Sequence, residues 1–447
     1  MRKVGGVKTP RISDWFSALQ AATQQTLQGV LEAALAEARS IIEGGNALTD
    51  SDAAELGHIA GQQIWDWAKA KPGFGNESHF EPLRRLQEML RALRNLDQNP
   101  HHDEVLRIFR IVENAFVDAA RGGSSIGFDR KVKKGTKVVN TLVTGFDPFT
   151  GRDATPARGE WNPSGAAVLA LDGQSINAEK GVVAAVEGVV LPVSFDEFRA
   201  GLVERIVAPQ MSKLDALLTV SLDTGIDPSD PVRLERYAVG VHRLNDGKLE
   251  RIPAAPSGTE GPRIIEAPAP LETIATETEQ KTAKTVSVKK PTFGNDIQLK
   301  FRTAGDANKA RADLKMPSQN SDILVIDNQA AIRQIIATAQ ITSGPGIRFS
   351  LVPKGKVHEA DLLRGPGGDF LSNEVSYRAQ RLVGGSKSRA VSFHTHVPGT
   401  RELLPEDAKS KEGKAILARA KELKDRIIST LRSMIAAVAR FIAHRGP

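Results

Sequence analysis

Apolar residues recur at helical spacing through the first 121 residues, then change to runs and alternations from residue 137. In the first stretch Phe16, Leu19, Leu27, Leu31 and Leu35 lie close to a 3.6-residue period behind Ser13 or Asp14, either of which can cap a helix. Gly44-Gly45-Asn46 breaks the pattern. Asp50-Ser51-Asp52 opens a second helix that Lys71-Pro72-Gly73 ends, and two more helices are predicted over 80–96 and 103–120. Trp15, Trp65 and Trp67 fall here and read as the large apolar fillers of a helical bundle, an aromatic site being the alternative. Residues 122–136 read as a linker. Its Gly123-Ser124-Ser125-Ile126-Gly127 matches G-x-S-x-G, but a nucleophile elbow needs a strand before it and a helix after it. Here a helix precedes and a charged run follows, so a flexible linker is the preferred reading.

From residue 137 strands are predicted at Val138 to Thr144, Val182 to Leu191 and Leu214 to Leu222, with a helix from Phe195 to Val207. Arg233 to His242 alternates in period two. Further strands are predicted at Asp322 to Ile326 and Ala390 to His394, the latter after a helix at 373–383. Strands interleaved with helices predict an α/β fold, an open and mostly parallel sheet with helices on both faces. The expected organisation is a helical bundle over 1–121, a linker over 122–136 and an α/β domain over 137–447. Pro, Thr, Lys and Glu dominate 254–320, which reads as a partly disordered insertion with room for one hairpin. A long amphipathic helix is predicted from Glu406, with Ile416, Leu423, Ile427, Leu431, Ile435, Val438 and Phe441 on one side.

Composition narrows the function classes. The chain has 447 residues and no cysteine, which excludes disulfides, thiolate metal sites and a cysteine nucleophile. The net charge of +7 is uneven: 14 basic and 16 acidic residues fall in 1–121, against 11 and 6 in 401–447. Aromatic residues make up 5%, too few for the basic, aromatic-laced surface of a nucleic-acid binder, and no nucleic-acid partner is expected. The basic face of the last helix leaves a membrane surface or partner helix as an alternative to covering its own sheet, and self-association is left open. No run of 18 apolar residues occurs, so no transmembrane helix is expected. The basic N-terminus lacks an apolar stretch, which makes a cytoplasmic protein the default.

The candidate chemistry lies in loops at strand ends, where open α/β sheets place ligands. Gly145-Phe146-Asp147-Pro148-Phe149-Thr150-Gly151 follows the first strand, and Asn162-Pro163-Ser164 comes soon after. Phe146 and Phe149 can form an apolar slot for a flat ring, or simply core packing at a tight turn. Glu235, Ser372 and His396 lie on three separate elements, as an orienting acid, a nucleophile and a base do in a catalytic triad. Free N–H groups at the start of the helix holding Ser372 suit an oxyanion. Each residue also has a plainer reading: Ser372 as an N-cap, Glu235 in a surface ion pair with Arg233 or Arg236, His396 as a loop histidine. His394 and His396 share a strand face, but His358, Glu359 and Asp361 add no convincing ligand spacing, and no metal or cofactor is expected. Gly384-Gly385-Ser386-Lys387-Ser388 lacks the first glycine of a Walker A loop, and Gly344-Pro345-Gly346 is a turn.

In this order the segments resemble one family, pyroglutamyl peptidase I, also called pyrrolidone-carboxylate peptidase. GFDPFTG looks like the family's GFEPFGG, WNPSGAAVLAL like NPSWEAVKAL, and VVLPVSFDEF like its VLPVVF-type strand and helix start. VRLERYAVGV falls on TVERVAIN, GGDFLSNEVSY on AGTYVCNHVMY, and FHTHVPGTRELLPE on FIHVPYLPE. The resemblance covers about 138–254 and 322–442. It implies an enzyme that removes an N-terminal pyroglutamate from peptides, with Glu235 and His396 in the catalytic acid and base positions. It also implies that Phe146 and Phe149 hold the lactam ring, and that Asn162 and Asp223 line the substrate site. Three departures stand out: Ser372 replaces the nucleophilic cysteine, Leu222-Asp223 replaces Gly-Gln, and Ile252-Pro253-Ala254-Ala255 replaces IPDN. A serine cannot rest as the anion that a cysteine can, so it needs His396 as a true general base during attack. Two functions are therefore expected to compete. One is a serine-dependent pyroglutamyl hydrolase. The other is a catalytically silent relative acting through binding, with a membrane-peripheral adaptor built on 406–445 as a third reading.

Overall fold

Two glycines at helical spacing explain how the first helices meet. The computed structural model describes residues 49–70, 102–130, 132–148, 161–223, 232–235, 237–243, 249–252, 262, 264–282, 286–287, 297–300, 323–326, 340–344, 348–352, 370–385, 389–399 and 410–445. It divides into two compact units, 1–126 and 127–447. In the first, α1 (Asp50–Ala70) packs on α2 (His102–Ala120). A methyl group on Gly57 would lie within 2.5 Å of the Val112 carbonyl, and one on Gly61 within 2.5 Å of the Phe116 carbonyl, so the two backbones approach as only glycine allows. Ala53 packs with Ile108 and Val112 of α2, and Ile64, Trp65, Phe116 and Ala119 are buried. Thr49 Oγ1 accepts from Asp52 N and starts α1. Trp65 is thus a core residue. Trp15 and the helices predicted at 13–35 and 80–96 lie outside the described residues.

The second unit is built on a seven-stranded sheet. Its strands are β1 (Lys137–Phe146), β2 (Ser175–Glu179), β3 (Val182–Leu191), β4 (Ala216–Asp223), β5 (Val232–Glu235), β10 (Val286–Ser287) and β15 (Val391–Pro398). The spatial order is β10-β5-β15-β4-β1-β3-β2. The four central strands β15, β4, β1 and β3 run parallel, while β5 and β2 are antiparallel to β15 and β3. The fold is therefore α/β with a mostly parallel, mixed-edge sheet. Of its central strands, β3 (VVAAVEGVVL) is the near-continuous apolar run expected of a strand covered on both faces.

The glycines also show which helices cover which face. A methyl on Gly145 would meet Ser164 O at 2.5 Å, and one on Gly188 would meet Val168 at 2.8 Å. That face therefore carries α3 (Pro163–Leu171), over which α8 (Lys411–His444) packs, also touching β1, β2 and β3. Side chains alternate along a strand, so Phe146 faces the other way. There it stacks on Phe198 of α4 (Phe195–Arg199). Arg378 of α7 (Leu371–Gly385) pairs with Glu204 of α5 (Leu202–Val207), and α7 rests on β4 and β15, so these helices cover the second face.

Several elements differ from the sequence reading. The helix expected over 195–207 is two, broken at Gly201, whose φ of 80° ends α4. Within the expected insertion, β9 (Ile264–Glu266) pairs with β6 (Tyr237–Val239), and α6 (Leu271–Thr282) packs on α8, with Glu277 bound to Arg440. The strand predicted at Asp322 to Ile326 forms as β12 (Ile323–Ile326). It belongs to a separate four-stranded sheet with β11 (Ile297–Lys300), β14 (Arg348–Val352) and β13 (Gln340–Gly344). Part of the expected linker is anchored: Arg130 donates to Gly173 O and Val186 O and pairs with Glu187 at 2.6 Å. Helix α8 buries Leu423, Ile427, Leu431, Ile435 and Val438. It is long and apolar enough to cross a membrane by length and composition alone, because its alanines raise the mean hydropathy that a search for unbroken apolar runs passes over.

Candidate active site

The registers of three neighbouring strands assemble a polar row on the α7 face. In β4, Thr219, Ser221 and Asp223 alternate with Leu218, Val220 and Leu222. In β15, His394 and His396 stand opposite Thr219 and Ser221, and in β5 Glu235 and Arg233 stand opposite His394 and His396. Polar residues at every second position of an otherwise apolar buried strand thus converge across three strands. Phe146 and Thr144 of β1 lie on the same face, since Thr144 is level with Thr219.

Glu235 and His396 meet in this row. Nδ1 of His396 and Oε1 of Glu235 are 3.1 Å apart, and the two residues are 3% and 1% exposed. A carboxylate accepting from Nδ1 fixes the tautomer and leaves Nε2 as the nitrogen for proton transfer. Glu235 is buried and does not take the surface position considered for it. Arg233 instead pairs with Asp223 at 3.0 Å, because both reach across β15 from its two sides. The loop-histidine reading of His396 also fails, since the residue lies inside a strand.

His394 is committed to the protein. Its Nδ1 is 2.7 Å from Thr219 Oγ1 and its Nε2 is 2.8 Å from Ser221 Oγ, so both ring nitrogens are engaged by hydroxyls rather than offered to a metal. Its ring meets that of His396 edge-on at 4.7 Å. Burial, and secondarily the neighbouring His396, hold the His394 imidazole well below its ordinary value of 6.5. The unfolded chain therefore takes up this proton below about pH 6.5 while the folded chain does not. Stability must fall as the pH drops through that range, by at most about 1.4 kcal/mol per pH unit for this group. His394→Gln should be less stable than the parent at pH 7 but lose less between pH 7 and pH 5. Urea denaturation at the two pH values measures this.

The remaining candidates are placed as follows. Ser372 is the second residue of α7, half-buried, on the helix that rests on β4 and β15. The helix begins one residue before it, and Asn373 N and Glu374 N donate to Phe370 O, so Ser372 does not stand at the cap position. Phe146 is buried against Phe198, and Phe149 lies outside the described residues. Asn162 caps α3. Its Oδ1 accepts from Ser164 N and its Nδ2 donates to Asp147 O, which ties the GFDPF turn to the helix behind it. Asn162 thus shapes the loop by holding backbone. Sequence reasoning passed over the Thr219–His394–Ser221 row and the Asp223–Arg233 pair. The available signal was the period-two polarity of TVSLD and HTH.

One family model matches the chain, described as PA0049, C-terminal domain, over residues 140–324. That stretch includes Glu235 and Asp223 but not Ser372 or His396. Among curated proteins the chain is 26% identical over 328 residues to uncharacterized protein PA0049 of Pseudomonas aeruginosa. The match takes in 63% of this chain and spans 57% of that protein's length. Solved structures similar to the chain include pyroglutamyl peptidases. They include a mutant pyrrolidone carboxyl peptidase from the hyperthermophile Pyrococcus furiosus, with 19% identity, 65% of this chain and 100% of that chain covered, and a TM-score of 0.32. Pyroglutamyl peptidase I of Bacillus amyloliquefaciens shares 18% identity over 68% of this chain and 98% of its own, with a TM-score of 0.35.

A second buried His–carboxylate pair lies near the start of α7. His242, on β7 (Val241–Arg243), is 2.6 Å from Glu374, and both side chains are fully buried. Glu374 also binds Arg378, which reaches Glu204. The pair ties the strand that follows β6 to the first turn of the helix that carries Ser372.

Proposed function

We propose that the α/β unit is a pyroglutamyl-peptidase-like amide hydrolase that uses Ser372 in place of the family's cysteine. The buried hydrogen bond between Glu235 and His396 carries this reading, because it supplies an oriented general base at the C-terminal end of parallel strands. In the proposed reaction His396 Nε2 takes the proton of Ser372 as its oxygen adds to the acyl carbon of the substrate amide. His396 then protonates the departing amine, and water attacks the acyl-serine by the same route in reverse. Glu235 stabilises the imidazolium in both steps. The start of α7 is assigned to the oxyanion, which the positive end of the helix dipole favours. Phe146 and Phe149 are assigned to the lactam ring.

A second reading is favoured by one observation, the 1% exposure of His396. A base so enclosed suits a silent relative that binds a ligand without turning it over. One assay separates the two. The full chain is mixed with a pyroglutamyl amide bearing a chromogenic amine, alongside Ser372→Ala and Ser372→Cys. Amine release that vanishes with alanine supports the serine hydrolase. An inactive parent with activity gained by cysteine supports the silent relative, and inactivity of all three folded proteins rejects the hydrolase.

A further inference from the structure

Strand register offers Glu235 two imidazoles, and it bonds the one that does not stand opposite it. Between β5 and β15 its direct partner is His394, while His396 lies on the diagonal. Directly opposed side chains on one face of an antiparallel pair have Cβ atoms about 4.5–5.5 Å apart, closer than diagonal neighbours. Yet the carboxylate meets Nδ1 of His396. Either imidazole could serve a buried carboxylate, so the choice of the diagonal needs a cause.

Strand β4 supplies it. Nδ1 of His394 is 2.7 Å from Thr219 Oγ1, and Nε2 is 2.8 Å from Ser221 Oγ. These nitrogens flank Cε1, so that edge of the ring faces β4, which lies across β15 from β5. A half-turn about the Cβ–Cγ bond would aim the same edge towards β5 and Glu235. A hydroxyl can donate or accept, so Thr219 and Ser221 satisfy a neutral imidazole in either tautomer. Burial holds the His394 ring in that neutral form. All three residues are buried, and turning the ring away would cost both hydrogen bonds where water does not replace them.

We propose that Thr219 and Ser221 are positioning residues: by engaging both nitrogens of His394 they keep that ring from Glu235 and so deliver the carboxylate to His396. The inference deepens the hydrolase reading, in which Glu235 and His396 are the acid–base pair. Other charged or titratable groups share this face. Arg233 of β5 and Asp223 of β4 form an ion pair there, and α7, packed on β4 and β15, carries Glu374, Tyr377, Arg378 and Arg381. None of these is altered in the test, so a shift relative to the parent reports the move of Glu235.

The test is the pH titration of the His394 and His396 ring resonances by NMR in the full chain, assigned with His394→Gln and His396→Gln. Thr219→Val combined with Ser221→Ala removes both hydroxyls with little change of shape. The freed ring should turn and capture Glu235. His394 should then titrate about one pH unit or more higher than in the parent, as an imidazole beside a carboxylate does, and His396 should titrate lower. Thr219→Ser combined with Ser221→Thr keeps both hydroxyls and should leave both titrations at their parent values. If the hydroxyls merely satisfy a buried ring, Glu235 stays where it is, and an unchanged or raised His396 titration overturns the proposal. A His396 titration that falls without a rise at His394 also overturns it, because the carboxylate has then left without being captured. A hydroxyl-swap variant that behaves like the double removal does the same, since packing would then be the cause. Should the double removal fail to fold, as judged by circular dichroism, Ser221→Ala alone frees Nε2 and carries the same expectation. No turnover is measured. Paired shifts in a chain that releases no amine defeat the hydrolase reading and keep the inference, and an active chain without them does the reverse.

Discussion

Gly145→Val should destabilise the α/β unit by about 3 kcal/mol or more, the upper end of the usual cost of forcing bulk into a packed core. The reason is backbone against backbone. A Cβ on Gly145 would stand 2.5 Å from Ser164 O and 2.7 Å from Ser164 C, both main-chain atoms of α3. A flexible side chain could swing away, but α3 cannot. It is held by the Asn162 cap and by Phe146 N donating to Ser164 Oγ, and eight of its nine residues are buried. Valine adds two methyls to a space that does not admit one. Gly384→Ala is the control: its added methyl meets nothing within 4 Å, and alanine favours helix over glycine by up to about 1 kcal/mol. The same kind of substitution should thus lower the melting temperature at position 145 and leave it unchanged or raise it at 384. Because Gly145 opens the GFDPF turn, any rearrangement that accommodates valine must also displace Phe146. Equal melting temperatures for Gly145→Val and the parent would mean that α3 does not sit on the sheet as closely as the glycine requires.

Elements with one-dimensional signatures were legible in the sequence. Val182 to Leu191 was readable because a strand covered on both faces is a nearly continuous apolar run, broken here only by Glu187 and Gly188. Helix α3 was not. PSGAAVLAL is buried nearly all round, so it has no polar face and no 3.6-residue contrast to detect. Helix α6 did carry a signal. Leu271, Ile274, Ala275 and Thr278 are buried at spacings of three and four, but they lie in a segment whose Pro, Thr and Glu content argued for disorder. At the site, Glu235 and His396 could be marked from the order of motifs. Their contact, the hydroxyl row around His394 and the Asp223–Arg233 ion pair could not, because each depends on which strands lie beside β15. That neighbour relation joins residues about 160–175 positions apart and leaves no trace in local spacing. Arg233 shows the consequence: in the linear sequence its nearest acid is Glu235, and in the fold its partner is Asp223.

Glu235→Gln should lower kcat/KM for a pyroglutamyl amide by on the order of 10⁴, the penalty expected when an orienting carboxylate becomes its amide with the geometry intact. Glutamine matches the shape of glutamate, so the buried contact survives, but its chemistry changes in two ways. The negative charge that stabilises the imidazolium is lost where burial makes electrostatics strong. The amide also presents N–H as readily as oxygen, and an N–H donated to Nδ1 moves the imidazole proton to Nε2, where it blocks proton uptake from Ser372. The loss should appear in kcat rather than KM, because Glu235 touches His396 and not the substrate. Combining Glu235→Gln with Ser372→Ala should cost little more than Ser372→Ala alone, since members of one relay are not additive. A Glu235→Gln protein within about tenfold of the parent would show that His396 does not depend on this carboxylate during turnover. The buried 3.1 Å contact would then be a strand-pairing feature of β5 and β15 rather than part of the chemistry.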